Sequence, residues 1–423
     1  MLKPDTDPGR GLPQLPLELM ERVCETLATR DLAALRGSCR QVHHLTHHCF
    51  AQRYGEYHTD FSERSLRHLH ALAQNPGVGR HIRSLVVLSP EPRLGKDLQA
   101  LRWAAAGQLA GDSLTMPSLR TLRDDLVRRL PHCRSFVVSP IGGAGPPEHP
   151  QDPQDLQDHQ QCTFNPDDVV SILWEIVADA ALPVQRFWYG QGLNYSSSAC
   201  SACSSPLLDI ARLPKGLFRS PGFRAGWAAL QNLHLEQTLT PHNYAFCLDL
   251  ILHAPALRKL HLGLGHTPIA AEFVADLSRA LTLAPHPPTW ERLSLAGTTL
   301  HADDLLRLLH QSRARLQTLW LRDVSGLDAS WLAALHRHRR QFPRLAALAL
   351  RDIRSPSGLV RFGLPPGAAG FQLQPNEQGA VPAIGLGASD IIGMAYGGSE
   401  MDRALETLVQ VWTECGGGTG GLA

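Results

Sequence analysis

The sequence predicts an α/β fold: a short helical N-terminal unit followed by an irregular array of strand–helix repeats. Two observations carry this expectation. Three brief stretches with apolar residues at helical spacing fill residues 15–50. Beyond residue 80 the pattern apolar-x-x-apolar-x-apolar recurs eight times, with helical patterns between its later copies. The 423 residues are 43% apolar, enough to bury a large core.

Composition narrows the class of function. Lys plus Arg is 40 and Asp plus Glu is 39, a net charge of +1. Nucleic-acid binders carry a basic excess on one face or stripe, so neither nucleic acid nor an anionic membrane is expected as a partner. The N-terminus reads Met1-Leu2-Lys3-Pro4-Asp5 and lacks the apolar core of a signal peptide. No run approaches the roughly 18 apolar residues of a membrane span. Nine scattered cysteines, an odd number, fit a reducing compartment better than a disulfide framework. A cytoplasmic or nuclear location is expected.

Taken in order, residues 1–14 hold three prolines and two glycines and read as a flexible lead-in. The first helical pattern opens at Leu15-Pro16, with proline suited to a first turn, and carries Leu19, Met20, Val23 and Leu27. The second starts near Asp31, a good N-cap, carries Leu32 and Leu35, and stops near Gly37-Ser38. The third runs from about Cys39, with Val42, Leu45 and Cys49 on one face. Three helices in about 35 residues bury little apolar surface, and units this small usually need a partner or a larger neighbour. Residues 51–80 are read as a helical linker.

The array is read over 81–353. Its anchors are Ile82-Leu85-Val87, Cys133-Phe136-Val138, Val184-Phe187-Tyr189 and Leu230-Leu233-Leu235. Four more follow: Leu257-Leu260-Leu262, Trp290-Leu293-Leu295, Leu316-Leu319-Leu321 and Leu345-Leu348-Leu350. Successive copies are 51, 51, 46, 27, 33, 26 and 29 residues apart. The last four spacings match or slightly exceed a leucine-rich repeat of about 20–29 residues. Helical patterns fall between them at Pro241 to His253 and His301 to Gln311. Strand, turn and helix in rotation make the unit of a parallel solenoid. Insertions or linkers are expected at 140–161, 190–205 and 354–398, which are rich in Pro, Gly or Ser. A C-terminal helix is expected at 399–415, with Met401, Leu405, Leu408 and Trp412 on one stripe, then a flexible tail at 416–423.

Side chains alternate along a strand, so residues between the anchors face away from the leucine core. That outward row reads Val86, Val137, Trp188, His234, His261, Ser294, Trp320 and Ala349. Arg186, Lys259 and Arg292 flank it on one side, and Glu236, Arg322 and Arg351 on the other. Tryptophan beside arginine is the composition of a binding hot spot. Trp188, His234, His261, Arg292, Trp320 and Arg322 are therefore the candidate residues for holding a protein substrate. The alternative is that a loop or the C-terminal helix covers Trp188 and Trp320.

Catalytic and metal chemistry finds little support. His43/His47 and His44/His48 have the i,i+4 spacing of paired ligands, yet no third ligand follows nearby. Cys200-Ser201-Ala202-Cys203 is a lone C-x-x-C without a second pair. Lys96 is followed by Asp97 rather than Ser or Thr, so no phosphate loop is present, and no G-x-S-x-G elbow occurs. No cofactor, metal site or catalytic residue is expected. An enzymatic reading would need a concave pocket with convergent titratable groups, for instance between the Cys200 loop and the C-terminal segment.

The N-terminal motif resembles the F-box family. The matching residues are Leu15-Pro16, Glu18-Leu19-Met20, Val23, Leu27, Asp31-Leu32, Leu35, Cys39-Arg40 and Leu45, under a tenth of the chain. The region Phe50 to Val87 looks like the extension of many fungal F-box proteins, where Ser-Leu-Arg-x-Leu precedes a Gly-Arg-His-Ile-Arg-Ser-Leu strand. The resemblance implies docking to the Skp adaptor of an SCF-type cullin–RING ubiquitin ligase. It puts Leu15, Pro16, Leu19, Leu32, Leu35 and Cys39 at or near that interface, with the downstream repeats holding a protein substrate. Where the family often has an aromatic residue two positions after Cys-Arg, this chain has Val42. The implied role is that of a non-catalytic substrate receptor. A ligase-independent repeat scaffold, with the helices only capping the array, is the alternative.

Overall fold

A computed structural model describes residues 12, 15–88, 94–98, 101, 109, 113–139, 164–190, 208–284, 287–362, 371–375 and 391–416. The insertion at 140–161, nearly all of that at 190–205, and both ends of the chain lie outside these residues. The chain divides into two compact units, 1–101 with 111–137, and 102–110 with 138–423.

The first unit opens with α1 (Leu17–Thr26), α2 (Thr29–Arg36), α3 (Arg40–Leu45) and α4 (His47–Gln52). Met20, Cys24 and Leu32 form its small core, with Leu15, Leu27, Leu35, Leu45, Cys49 and Phe50 packed around them. The sequence pattern suggests one helix from Cys39 onward, but the chain breaks at Thr46 (φ −92°, ψ 0°). The Thr46 hydroxyl donates to the Val42 carbonyl, a local bond that competes with continued helix. Arg53 ties α4 back to α1 by donating to the carbonyls of Cys24, Glu25 and Leu27. They lie at the end of α1, where a helix runs out of its own N–H donors; the Cys24 carbonyl also accepts from the Leu27 N–H.

Residues 51–80 are not simply a helical linker. β1 (Glu56–Thr59) pairs in parallel with β2 (Ser84–Leu88), joined through α5 (Glu63–Ala73) and α6 (Pro76–Gly79). Only Tyr57 and Thr59 of β1 are buried, so the sequence carries too few apolar residues to announce a strand. α7 (Pro117–Arg128) packs on α5, and β3 (Ser135–Ser139) follows beside β2. Buried Asp125 of α7 accepts from Arg129 and contacts His70 of α5.

The second unit is a large, mostly parallel sheet with one helix before each strand. α8 (Pro166–Ala180) leads to β4 (Arg186–Tyr189), α9 (Pro221–Trp227) to β5 (Asn232–Glu236), and α10 (Tyr244–Leu252) to β6 (Lys259–Gly263). α11 (Pro268–Leu283) leads to β7 (Arg292–Thr299), α12 (Ala302–Gln311) to β8 (Thr318–Ser325), and α13 (Ala329–Arg337) to β9 (Ala347–Arg351). β4 to β9 pair in parallel in sequence order. The register stacks the anchors in columns: Phe187, Leu233, Leu260, Leu293, Leu319 and Leu348, then Tyr189, Leu235, Leu262, Leu295, Leu321 and Leu350. Every anchor of the eight repeats is at most 2% exposed. Successive helices pack on one another over this core, and Trp174, Phe187, Phe223 and Trp227 fill its start with offset and edge-on rings.

The stretch 354–398, read as a linker, contains strands in its described parts. β10 (Arg354–Ser355), β11 (Gly358–Phe362), β12 (Phe371–Pro375) and β13 (Ile391–Gly397) lie there. β13 pairs antiparallel with β9 and β12, while β10 pairs in parallel with the end of β8 and turns back into β11. α14 (Met401–Val411) buries Met401, Leu405 and Leu408 as the stripe predicts. Trp412 leaves the helix to begin β14 (Trp412–Gly416), which pairs antiparallel with β11. Glycine and proline hid these strands because both are disfavoured in strand interiors.

Candidate functional site

The row that faces away from the helices lies across the strands in register: Trp188, His234, His261, Ser294, Trp320 and Ala349. The Trp188 ring stacks on His234 (centroids 3.4 Å, 8° between planes), and His234 stacks on His261 (3.9 Å, 5°). His261 Nδ1 shares a 2.7 Å hydrogen bond with the Ser294 hydroxyl. Further along the row, before Ala349, Trp320 is 46% exposed. Arg186 lies over the Trp188 ring at 5.3 Å and Arg292 over Trp320 at 5.5 Å, both within cation–π range. The face is thus aromatic and cationic, and no described helix covers Trp320.

A second row, two residues further along the strands, reads Gly190, Glu236, Gly263, Ala296, Arg322 and Arg351. Glu236 occupies room left by the glycines beside it. A Cβ on Gly190 would stand 2.6 Å from Glu236 Cβ, and one on Gly263 would stand 3.2 Å from Glu236 Cγ. From there Glu236 Oε1 reaches 3.1 Å from His234 Nε2 and 3.4 Å from His261 Nε2. Both are close ion-pair contacts, although neither buried ring nitrogen meets the geometry of a hydrogen bond. Burial works against the Glu236 charge, yet the two imidazoles outweigh it and hold the carboxyl down at about 2. Burial pushes His234 down to about 4, only partly offset by Glu236, so its ring is neutral at pH 7.

The predicted site residues therefore fall into distinct settings. Trp188, His234 and His261 are brought together in one stack, while Arg292 joins Trp320. Arg322 lies one row over, in register with Ala296 and Arg351. In the first unit, Leu19 is 48% exposed and Pro16 and Cys39 are exposed. Leu15 and Leu35 are half-buried against the small core. Leu32 is fully buried in the small core, so its part at or near an interface would be to support the helices from within. Leu17, outside the predicted set, is 49% exposed on the same helix as Leu19. Val42 is buried inside the unit.

The first unit also has an open cavity of about 780 Å³ lined by Tyr57, Arg64, His68 and Leu88, among others. Its Tyr57 hydroxyl donates to the Ser65 carbonyl and contacts His68 Nδ1. The Cys200–Cys203 pair and the pocket imagined beside it lie outside the described residues. Among the described residues no helix is long and apolar enough to cross a membrane. No protein-family model matches this chain, and no curated protein matches it.

Proposed function

We propose that the chain is a non-catalytic substrate-recognition subunit of an SCF-type cullin–RING ubiquitin ligase. Its N-terminal helices dock the Skp adaptor, and the outward sheet face holds a protein substrate. On this reading the strand–helix array is an irregular leucine-rich-repeat solenoid. The in-register leucine columns and the 26–33-residue spacing of the later copies support that finer description.

The observation that carries the adaptor half is the apolar surface α1 leaves in water. Met20 and Cys24 point inward, yet Leu17 and Leu19 stay about half exposed. Leaving apolar area in water forfeits about 25 cal/mol per Å² that a partner would recover. The substrate half rests on the Trp188 and Trp320 faces beside Arg186 and Arg292. The mechanism is proximity: a held substrate presents its lysines to a charged conjugating enzyme at high effective concentration. No residue of this chain performs covalent chemistry.

Gel filtration of the purified chain with the Skp adaptor and a cullin tests the assembly. Co-elution of all three is the expected result. A folded wild-type chain that elutes alone at micromolar concentrations contradicts it. The second reading, a ligase-independent scaffold, draws on the same aromatic face and requires no adaptor.

A further inference from the structure

We propose that His234, Glu236 and His261 form a binding site for one divalent transition-metal ion of the zinc class. The three side chains offer donor atoms that all lie within 4.8 Å of one another. His234 is only 9% exposed, and its Nε2 and that of His261 are buried with no hydrogen bond to spend them on. A buried polar atom without a well-formed hydrogen bond is unfavourable, so such atoms invite an explanation. Both nitrogens face the same carboxylate oxygen. Two imidazoles and a carboxylate make an N2O donor set that suits zinc, nickel or copper and is too nitrogen-rich for calcium or magnesium.

The surroundings are those of a built site. Ser294 holds the far ring nitrogen of His261, as outer partners of metal-bound histidines do. Gly190 and Gly263 leave the space that lets Glu236 fold over toward both rings. Neighbouring strands of one parallel sheet carry all three residues, which fixes their separation. One adjustment is required. An ion about 2.0–2.1 Å from each nitrogen lies in the plane of each ring, whereas the two rings are parallel and 3.9 Å apart. Binding must turn the rings toward a common apex, which loosens the stack on Trp188. Water or a partner's side chain takes the remaining position.

The test is calorimetric titration of the full chain with Zn2+, comparing wild type with His261→Ala and Glu236→Gln. Wild type should bind one equivalent that each variant loses or holds at least about tenfold more weakly. Weaker zinc binding elsewhere, for example at the His43/His47 pair, persists in the variants and so does not score. Should His261→Ala unfold, Glu236→Gln decides, since it keeps shape and removes only the charge. Co2+ in place of Zn2+ should give the visible absorption of a low-symmetry four- or five-coordinate ion in wild type alone. A wild-type chain that binds no Zn2+, or variants that keep its full stoichiometry and affinity, overturns the site.

Discussion

At the scale of single residues, alternation along the strands was enough to put Trp188, His234, His261 and Trp320 on one side. It did not disclose what Glu236 does. That depends on which residues stand beside it in the sheet, and the glycines that make room lie 46 residues before and 27 after it. Nor did the motif disclose that Leu32 points into the small core, because a match names positions and not which way each side chain points. Another buried acid yields a pH prediction. Burial raises Asp167 from 3.8 to about 6, against hydrogen bonds donated by the Tyr189 hydroxyl and the Asp209 backbone N–H. A carboxyl raised on folding takes up protons in the folded state. Its contribution is therefore complete below about pH 4 and lost as pH rises through about 6, at up to about 3 kcal/mol. Urea denaturation at pH 4 and pH 7 should show Asp167→Asn gaining stability relative to wild type at the higher pH. An unchanged difference between the two would contradict the burial account.

At the scale of elements, the eight repeat strands were legible because each spends three large apolar residues at one spacing. Their helices were legible only where an apolar stripe stood out, as at Pro241 to His253, which folds as Tyr244–Leu252. β1 and the strands after Ser355 were not, since they hold few apolar residues or sit among glycines and prolines. The column model makes a contrast that denaturation can check. Leu262→Ala removes a fully buried side chain between Leu235 and Leu295 and should cost about 2–5 kcal/mol. Trp320→Ala, on the opposite side and half in water, should cost clearly less, about 1 kcal/mol. If Trp320→Ala proved as costly as Leu262→Ala, the outward face would be core. Substrate capture should respond in the reverse order, since an exposed tryptophan beside arginine belongs among the residues that dominate binding.

At the scale of the whole molecule, two compact units divide the labour in the proposed role. The four short helices at the start of the first unit were foreshadowed by their apolar spacing, but the unit itself runs on through β1, β2 and α7, past the change of pattern near residue 50. The larger one was legible as an array because its core repeats. What neither repeat nor composition carries is the identity of the partners, which rests on surface chemistry: α1 with its exposed leucines, and a sheet face of tryptophan, histidine and arginine. The measurement that reaches the central claim most directly is adaptor affinity by calorimetry, comparing wild type with the double substitution Leu17→Asp, Leu19→Asp. Both side chains are about half exposed, so the thermal midpoint should stay near that of wild type. The account predicts wild-type binding in the micromolar range or tighter, weakened at least a hundredfold in the double variant. Equal affinity for the two proteins, or no adaptor binding by the folded wild type, would contradict it.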